Sequence, residues 1–414
     1  MHGSDSAPVS LGHKSDQPKV FYFTQFLSSF GFGAIIPVYV LYFRHYNLNL
    51  FQIALMASIF EASILIFELP TGILADIYGR KISVTLSALT LFIGGFIFIL
   101  FPTILGFIIA EIIVGIGETL KSGALEAWIV DSLKHQGMED KVKYVFSYGK
   151  RYQAAGNLLG LILGGYIGSW NIKFIWHPFV LSFLVCLVFL LFAMKEDYQL
   201  EKLLSHRWID QLQETIKKSF ELIKTKKIIY ALILLGLFFN FSFETISQYW
   251  QIHFSENLAI KTSYFGWIVA LSSIIVILLV NRITQLSEKF KNQTTFLIIL
   301  KSGFFLSLLI ITLTSNPFLA IILFILLQAL QSFSDPIYLD IFNQHIPSEQ
   351  RATLLSFKSL SNSTGEVLAG LCIGVIAEKF GLRPTFGLGS FVLALGIILF
   401  FFLIKREKKT IASI

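Results

Sequence analysis

Charge is what this sequence has least of. Only 14% of its 414 residues are Asp, Glu, Lys or Arg, where a water-soluble protein carries about a quarter. That is too little polar side chain to clothe a globule in water. Cysteine is nearly absent as well. Cys186 and Cys372 lie in separate apolar runs with no CxxC pair, which excludes a disulfide framework and leaves both as expected packing residues. There is no glycine-rich phosphate loop ending in lysine, which argues against an ATP-driven pump, and no HExxH pair, nucleophile elbow or metal-ligand cluster. No cofactor and no metal are expected, and the chain is not expected to be an enzyme.

What fills the chain is apolar sequence: 55% of it is hydrophobic and 42 residues are phenylalanine. Runs near the ~20 residues that cross a bilayer occur at Val20–Phe43, Phe51–Ala75, Ile82–Phe101, Thr103–Val130, Val145–Trp170, Phe174–Met194, Ile228–Ile252, Ser263–Val280, Thr294–Thr314, Pro317–Phe342, Ala352–Ala377 and Thr385–Ile404. The expected fold class is an all-α polytopic membrane protein with twelve transmembrane helices. The first run is too long for a signal peptide and lacks a small-residue cleavage site, so it should remain as the first span.

The net charge of +7 invites a nucleic-acid reading, but the bases sit in short loops and write topology instead. Alternate loops carry Arg80 and Lys81; Lys134, Lys141 and Lys143; the 195–227 segment; Arg282, Lys289 and Lys291; Arg351; and the tail from Lys405. The opposite loops hold only Arg44, Lys173, Lys261, Lys379 and Arg383. This asymmetry places both termini and the long middle loop in the cytoplasm, here of a bacterium, with the chain in its inner membrane. The expected organisation is a tail over 1–19, a six-helix bundle over 20–194, a linker over 195–227, a second six-helix bundle over 228–404 and a tail over 405–414. In the linker Ile209, Leu212, Ile216, Phe220 and Ile223 recur at helical spacing between lysines, reading as an amphipathic helix on the membrane surface or as a plain surface linker. The halves echo each other: LKSGALEAWIVDSL (120–133) and LQSFSDPIYLDIFN (330–343) occupy matching places, the weak internal symmetry of a transporter built from two repeats with its site between them.

These residues resemble the major facilitator superfamily of secondary transporters. The superfamily's G-x-L-A-D-x-x-G-R-K signature between helices two and three stands here as Gly72, Leu74, Ala75, Asp76, Gly79, Arg80 and Lys81. The helix-five signature of its proton-coupled exporters matches at Gly156, Gly160, Gly164 and Gly165, with Leu161 in place of the proline; small residues at this spacing also serve plain helix packing. In helix four, Gly115 and Gly117 fit a third signature, but Glu111 occupies the position of its arginine. The segment 346–356 is similar to drug-exporter members. The resemblance implies two six-helix pseudo-repeats, alternating access and a gate at Gly72, Asp76, Gly79, Arg80 and Lys81, with Asp76 at the N-terminal dipole of helix eleven. It most closely resembles the twelve-helix proton-coupled exporter branch.

An ionisable group at membrane depth costs roughly 2.5–3.5 kcal/mol on insertion scales and is a functional hypothesis by default. The acids there are Glu61, Glu68, Glu111, Glu118, Glu126, Glu244, Asp335, Asp340 and Glu366; the bases are Lys121, Lys150, Arg151, Lys301 and Lys358. Expected proton-coupling residues are Glu118, Glu111, Glu61 and Glu68. Lys121 follows Glu118 at i+3, so Glu118 either titrates or is half of a static pair. The resemblance implies a cavity lined by helices one, four, seven and ten, hence substrate contacts at Gln25, Lys121, Asn240, Glu244, Gln248, Gln331, Asp335 and Tyr338. Acids among aromatics suit an organic cation. The expected function is proton-coupled efflux of small amphipathic or cationic compounds by a monomer whose partners are its small-molecule substrate, protons and membrane lipid, with no nucleic acid. Proton-driven uptake of a nutrient, peptide or metal-chelate is the alternative, and a non-transporting membrane sensor or assembly factor is a second.

Overall fold

The computed structural model describes residues 16–196, 226–290, 292–346 and 351–412. The 209–223 amphipathic segment and most of the 1–19 tail lie outside these residues, as do 347–350 of the exporter-like stretch. Among the described residues there are helices and no strands. We number them α1 (Gln17–Ile35), α2 (Tyr39–His45), α3 (Leu50–Tyr78), α4 (Arg80–Leu100), α5 (Ile104–Lys121), α6 (Ala124–His135), α7 (Val142–Trp170), α8 (Trp176–Ala193), α9 (Lys227–Ser247), α10 (Phe265–Lys289), α11 (Gln293–Leu313), α12 (Pro317–Gln344), α13 (Arg351–Phe380) and α14 (Leu382–Ala412). Each of the twelve expected apolar runs is helical. Among the described residues eight helices, or nine if the bent α1–α2 pair is one span, are long and apolar enough to cross a membrane by length and composition. Their outer faces are apolar: Phe192 is 83% and Phe318 77% exposed, a surface suited to lipid rather than water.

Three expected spans are not single helices, the seventh being interrupted by a turn at Gln248 and Tyr249. The first bends by 44° between α1 and α2, where Pro37 supplies no backbone N–H to continue the ladder. The fourth breaks at Ser122–Gly123, with Gly123 at φ +71, a conformation glycine adopts without steric cost. By contrast, α3 and α12 continue unbroken past Pro70 and Pro336. Helix starts follow local chemistry. Asn49 and Gln52 form a reciprocal capping box at α3, and the Asn316 side chain accepts from the N–H groups of Phe318 and Leu319 ahead of α12, each satisfying otherwise orphaned donors.

Helices α1–α8 pack on one another, as do α9–α14, and the two sets meet along α3 against α13 and α7 against α10. Small residues make these contacts close. A side chain on Gly156, Gly160 or Gly164 would collide with the carbonyl oxygen of Phe26, Phe30 or Ala34 on α1, and a Cβ on Gly165 would lie 2.9 Å from the backbone nitrogen of Gly266 on α10. Buried hydroxyls span other helix pairs, as where Ser87 donates to the Gly117 carbonyl at 2.6 Å and Ser182 to that of Leu27 at 2.6 Å. Of the cysteines, Cys186 is buried in packing as expected, but Cys372 is exposed.

The bundle has two unlike ends. One, the basic end, carries the α3–α4 turn, where Arg80 pairs with Asp131 of α6 at 2.5 Å. There Glu196, just beyond α8, accepts from the backbone N–H groups of Arg80 and Lys81 at 2.9 and 3.1 Å. Gly79, at φ +105, leaves the room: a Cβ there would come within 2.7 Å of the Glu196 carboxylate. At the opposite, far end the two sets of helices are tied together. Arg44 pairs with Glu256 at 2.9 Å, the Leu50 N–H donates to Glu378 at 2.8 Å, the Tyr249 hydroxyl donates to the Leu50 carbonyl at 2.9 Å, and Gln251 donates to the Ile36 carbonyl at 2.7 Å.

Two outcomes follow from this packing. Gly160→Leu overpacks the α1–α7 contact and should cost about 1–3 kcal/mol, read as a lower Tm in detergent; Gly72→Leu, where nothing lies within 4 Å of a Cβ, should leave Tm unchanged. Reversing the exposed Arg44–Glu256 pair by Arg44→Glu should loosen the far end by up to about 1 kcal/mol, seen as a longer spin-label distance across it, and adding Glu256→Arg should restore the native distance.

Candidate functional site

Two connected hollows lie between the halves, joined where Phe32, Val269 and Gln328 line both. The wider, about 910 Å³, runs toward the basic end. The break between α5 and α6 turns Ser122 and Gly123 onto its wall, beside Glu118, Lys121 and Glu126. Gln25 of α1, Lys150, Gln153 and Asn157 of α7, Ser272 and Ser273 of α10, and Gln331 of α12 complete its polar lining. Glu118 and Lys121 are joined at 2.7 Å, and the Lys121 ammonium lies 5.5 Å from the Phe32 ring centre. This hollow therefore holds charge of both signs, and its Glu118 is already half of an ion pair.

The inner chamber, about 350 Å³, lies toward the far end and is different in kind. Its walls carry four carboxylates, Glu61 of α3, Glu111 of α5, Glu244 of α9 and Glu366 of α13, and no Lys, Arg or His. Two come from each half of the chain. Glu111 is 2% exposed and accepts a short hydrogen bond from the Tyr39 hydroxyl. The bend at Pro37 makes this contact, because it swings the first turn of α2 over α5. Glu244 accepts from the Gln248 amide at 3.0 Å. Glu61, Glu244 and Glu366 lie near enough across the seam to interact through their charges. Phe32, Tyr39, Phe60, Trp176 and Trp250 supply apolar wall, with Trp176 stacked on Phe98 at 3.8 Å. Behind the wall, the side-chain oxygens of Gln248 and Gln251 and the Trp176 indole N–H are buried out of reach of the chamber and lack a protein partner among the described residues. Among the described residues no three His, Cys, Asp or Glu are grouped closely enough to hold a metal ion, so the chamber is not preformed for one.

The sequence-expected residues therefore divide. Gln25, Glu118, Lys121 and Gln331 line the wider hollow; Glu61, Glu111, Glu244 and Gln248 line the chamber. Glu68, Asn240, Asp335 and Tyr338 line neither. Tyr338 packs instead between helices, its hydroxyl donating to the Leu232 carbonyl of α9 at 3.0 Å. Depth along the helix is the reason: Tyr338 lies seven residues past Gln331, on the same side of α12 but about 10 Å further along it, where its hydroxyl meets α9 instead of the hollow. Lys301 is buried rather than snorkelling, with its ammonium 3.0 Å from the Phe239 ring centre. Asp76 is exposed on the last turns of α3, and Arg80 and Lys81 hold the α3–α4 turn to its own half.

The expected set of lining helices was too narrow. Helices α7 and α10 contribute to the wider hollow, and α3 and α13 to the chamber. Glu366 was visible as an acid at membrane depth but lay on a helix not expected to line the cavity. Gln153 and Asn157, four apart in an otherwise apolar run, were a readable signal for α7, and Tyr39 two residues after a proline was one for the bend.

Comparison with known proteins agrees with this architecture. The model of the Major Facilitator Superfamily matches residues 21–357 and 232–413. The chain is 28% identical over 386 residues to the uncharacterized MFS-type transporter YxaM of Bacillus subtilis, covering 92% of this chain and 94% of that one. It is 24% identical over 390 residues to the MFS-type transporter MJ1560 of Methanocaldococcus jannaschii, covering 92% and 96%. Among solved structures, the nucleoside transporter NupG superposes with a TM-score of 0.77 at 13% identity, covering 94% of this chain and 99% of that one. The peptide transporter POT in complex with sulfate superposes at 0.75 and 14% identity, covering 97% and 96%. At that identity the likeness is one of fold. The twelve helical runs, the hollow between two halves and a family match spanning nearly the whole length lead to one conclusion: this chain belongs to the major facilitator superfamily and is a multi-pass membrane transporter of small molecules.

Proposed function

We propose that this transporter exchanges protons for small amphipathic or cationic compounds, carrying them out of a bacterial cytoplasm across the inner membrane. The observation behind this reading is the inner chamber: four carboxylates from both halves, no basic side chain on its walls, and aromatic surface between them. Ionised carboxylates away from water need a positive partner. A proton serves, and so does an organic cation held by charge and by the faces of Trp, Tyr and Phe. The two are alternatives at the same groups, so loading one releases the other. That competition is the elementary requirement for exchange.

Glu111 is the strongest proton site in this reading, being buried and reached by the Tyr39 hydroxyl alone among described side chains that bond to it. Glu61 and Glu244 follow, and Glu118 is weaker because Lys121 already balances it. With the far end tied by Arg44–Glu256 and its neighbours, the wider hollow is the entry from the cytoplasmic side, and Asp76 would meet the start of α13 when that side closes. Both termini would then be cytoplasmic, with the two six-helix halves acting within one monomer. Uptake of a zwitterionic nutrient or peptide is a second reading, favoured by the paired charges of Glu118 and Lys121 in the wider hollow.

In proteoliposomes loaded with a pH-sensitive dye, tetraphenylphosphonium should drive proton movement opposite to its own. Glu111→Gln should cut that movement by roughly tenfold or more, the scale of losing one essential interaction of ~1.4 kcal/mol, while the protein stays folded; Glu118→Gln should cut it less. Protons moving with a dipeptide, and not against the cation, would favour uptake. Asp76→Asn should slow turnover without changing Tm; an unchanged rate would reduce that turn to a topogenic role.

A further inference from the structure

At the far end a carboxylate of one half caps a helix of the other. Glu378, on the last turn of α13, accepts the backbone N–H of Leu50, the first residue of α3, at 2.8 Å. That N–H is one of the donors a helix leaves unsatisfied at its start, and the Asn49–Gln52 capping box serves other donors. The Leu50 carbonyl is held by the same opposing half, through the Tyr249 hydroxyl at 2.9 Å. Negative charge is favoured at this position by the helix dipole. The sequence carries the arrangement twice. IAEKFGLR (376–383) matches LADIYGRK (74–81) at an apolar residue, an alanine, an acid, an aromatic and a glycine. Asp76 and Glu378 each stand two residues before the end of a long helix, α3 at Tyr78 and α13 at Phe380. Both helices stop at a glycine of positive φ, +105 at Gly79 and +84 at Gly381. The two helices also pack antiparallel in a fixed register. Leu50 meets Glu378, a Cβ on Gly374 would lie 2.8 Å from that of Ala54, and one on Gly370 would lie 2.6 Å from the Ser58 hydroxyl. Each four residues along α3 match four residues back along α13. Twenty-six residues on from Leu50 is Asp76, and twenty-six back from Glu378 is position 352, in the first turn of α13. The two ends of the pair are therefore equivalent, about 39 Å apart, as inverted repeats nested within the halves would place them.

We propose that Glu378 is the far-end counterpart of Asp76, and that the two carboxylates latch the same pair of helices alternately, one at each end. In this structure the far latch is made: Glu378 holds the start of α3, while Asp76 is exposed. When the halves rock, the far ends part and Glu378 releases Leu50, while Asp76 reaches the start of α13. One carboxylate on one helix start is exchanged for another of the same kind, so neither state leaves both latches unmade. Glu378 and Asp76 line neither hollow, so they bias which end is open whatever the cargo is. The proposal rests on the gating role given above to Asp76 and is independent of proton exchange.

The test uses the full chain in nanodiscs without cargo, with Cys186→Ala and Cys372→Ala, and reads distances between pairs of spin labels. One pair replaces the exposed His45 and Lys261 across the far end, and the other replaces the exposed Lys134 and Lys289 across the basic end. Glu378→Gln keeps the shape of the side chain and removes its charge. It should raise the ratio of open to closed far ends about two- to fivefold, the weight of one charge at a helix start, and lower the open fraction at the basic end. Asp76→Asn should do the reverse. A side chain that only stabilises the fold would lower Tm without moving the two ends in opposite directions. An unchanged far-end ratio in Glu378→Gln, or both substitutions opening the same end, overturns the proposal. If Glu378→Gln acts as expected and Asp76→Asn moves neither end, the far latch stands, and the alternation falls together with the gating role of Asp76. Proton exchange is tested apart from this, by the dye assay, and its failure would leave both latches in place.

Discussion

Four carboxylates that share one chamber without a base on its walls, one of them buried, set the terms for the rest of this structure. Charge of one sign at membrane depth is expensive unless it is neutralised, and the chamber walls offer Glu61, Glu111, Glu244 and Glu366 no cation. The protein meets this only partly from within, through the Tyr39 hydroxyl on Glu111 and the Gln248 amide on Glu244. Whatever completes the neutralisation must arrive and leave, and a site of this kind ties occupancy to the distance between the halves. The wider hollow has no such debt, because Lys121 and Lys150 stand among its acids.

Backbone irregularities deliver the groups that matter, and glycine holds the frame around them. Pro37 bends the first span so that Tyr39 reaches Glu111, and the break at Ser122–Gly123 opens the fourth span onto the hollow beside the Glu118–Lys121 pair. The unbroken helices α7 and α1 approach until the backbone of one touches that of the other, through Gly156, Gly160 and Gly164. Rigid contacts within each half and a bonded far end leave the basic end as the place where the halves can separate, a geometry suited to rocking about a central site.

Much of the fold was legible in the sequence. Apolar run length located the long helices, and the turn around Gly79, Arg80 and Lys81 pointed to the family before any contact was known. Glu61, Glu111, Glu244 and Gln248 could be nominated because intramembrane polarity is costly. What could not be read was which faces meet over hundreds of residues. Glu366 gains its place from its approach to Glu61, some 300 positions earlier in the chain, and nothing local to α13 announces that. The same limit applies to Tyr338: the hydropathy of α12 fixes its length, while how far the hollow extends along it before α9 closes over is a tertiary fact. Helix α7 was undervalued because its glycines read as packing and hid the polar face carried beside them.

The central claim is that cations and protons compete for the same chamber carboxylates, and proton release on binding tests it most directly. Purified protein in weakly buffered detergent, titrated with a cationic ligand against a pH indicator, should acidify the solution in proportion to occupancy, and that release should fall sharply when Glu61, Glu111, Glu244 and Glu366 are replaced together by glutamine. Saturable binding of the cation with no protons released would contradict the account.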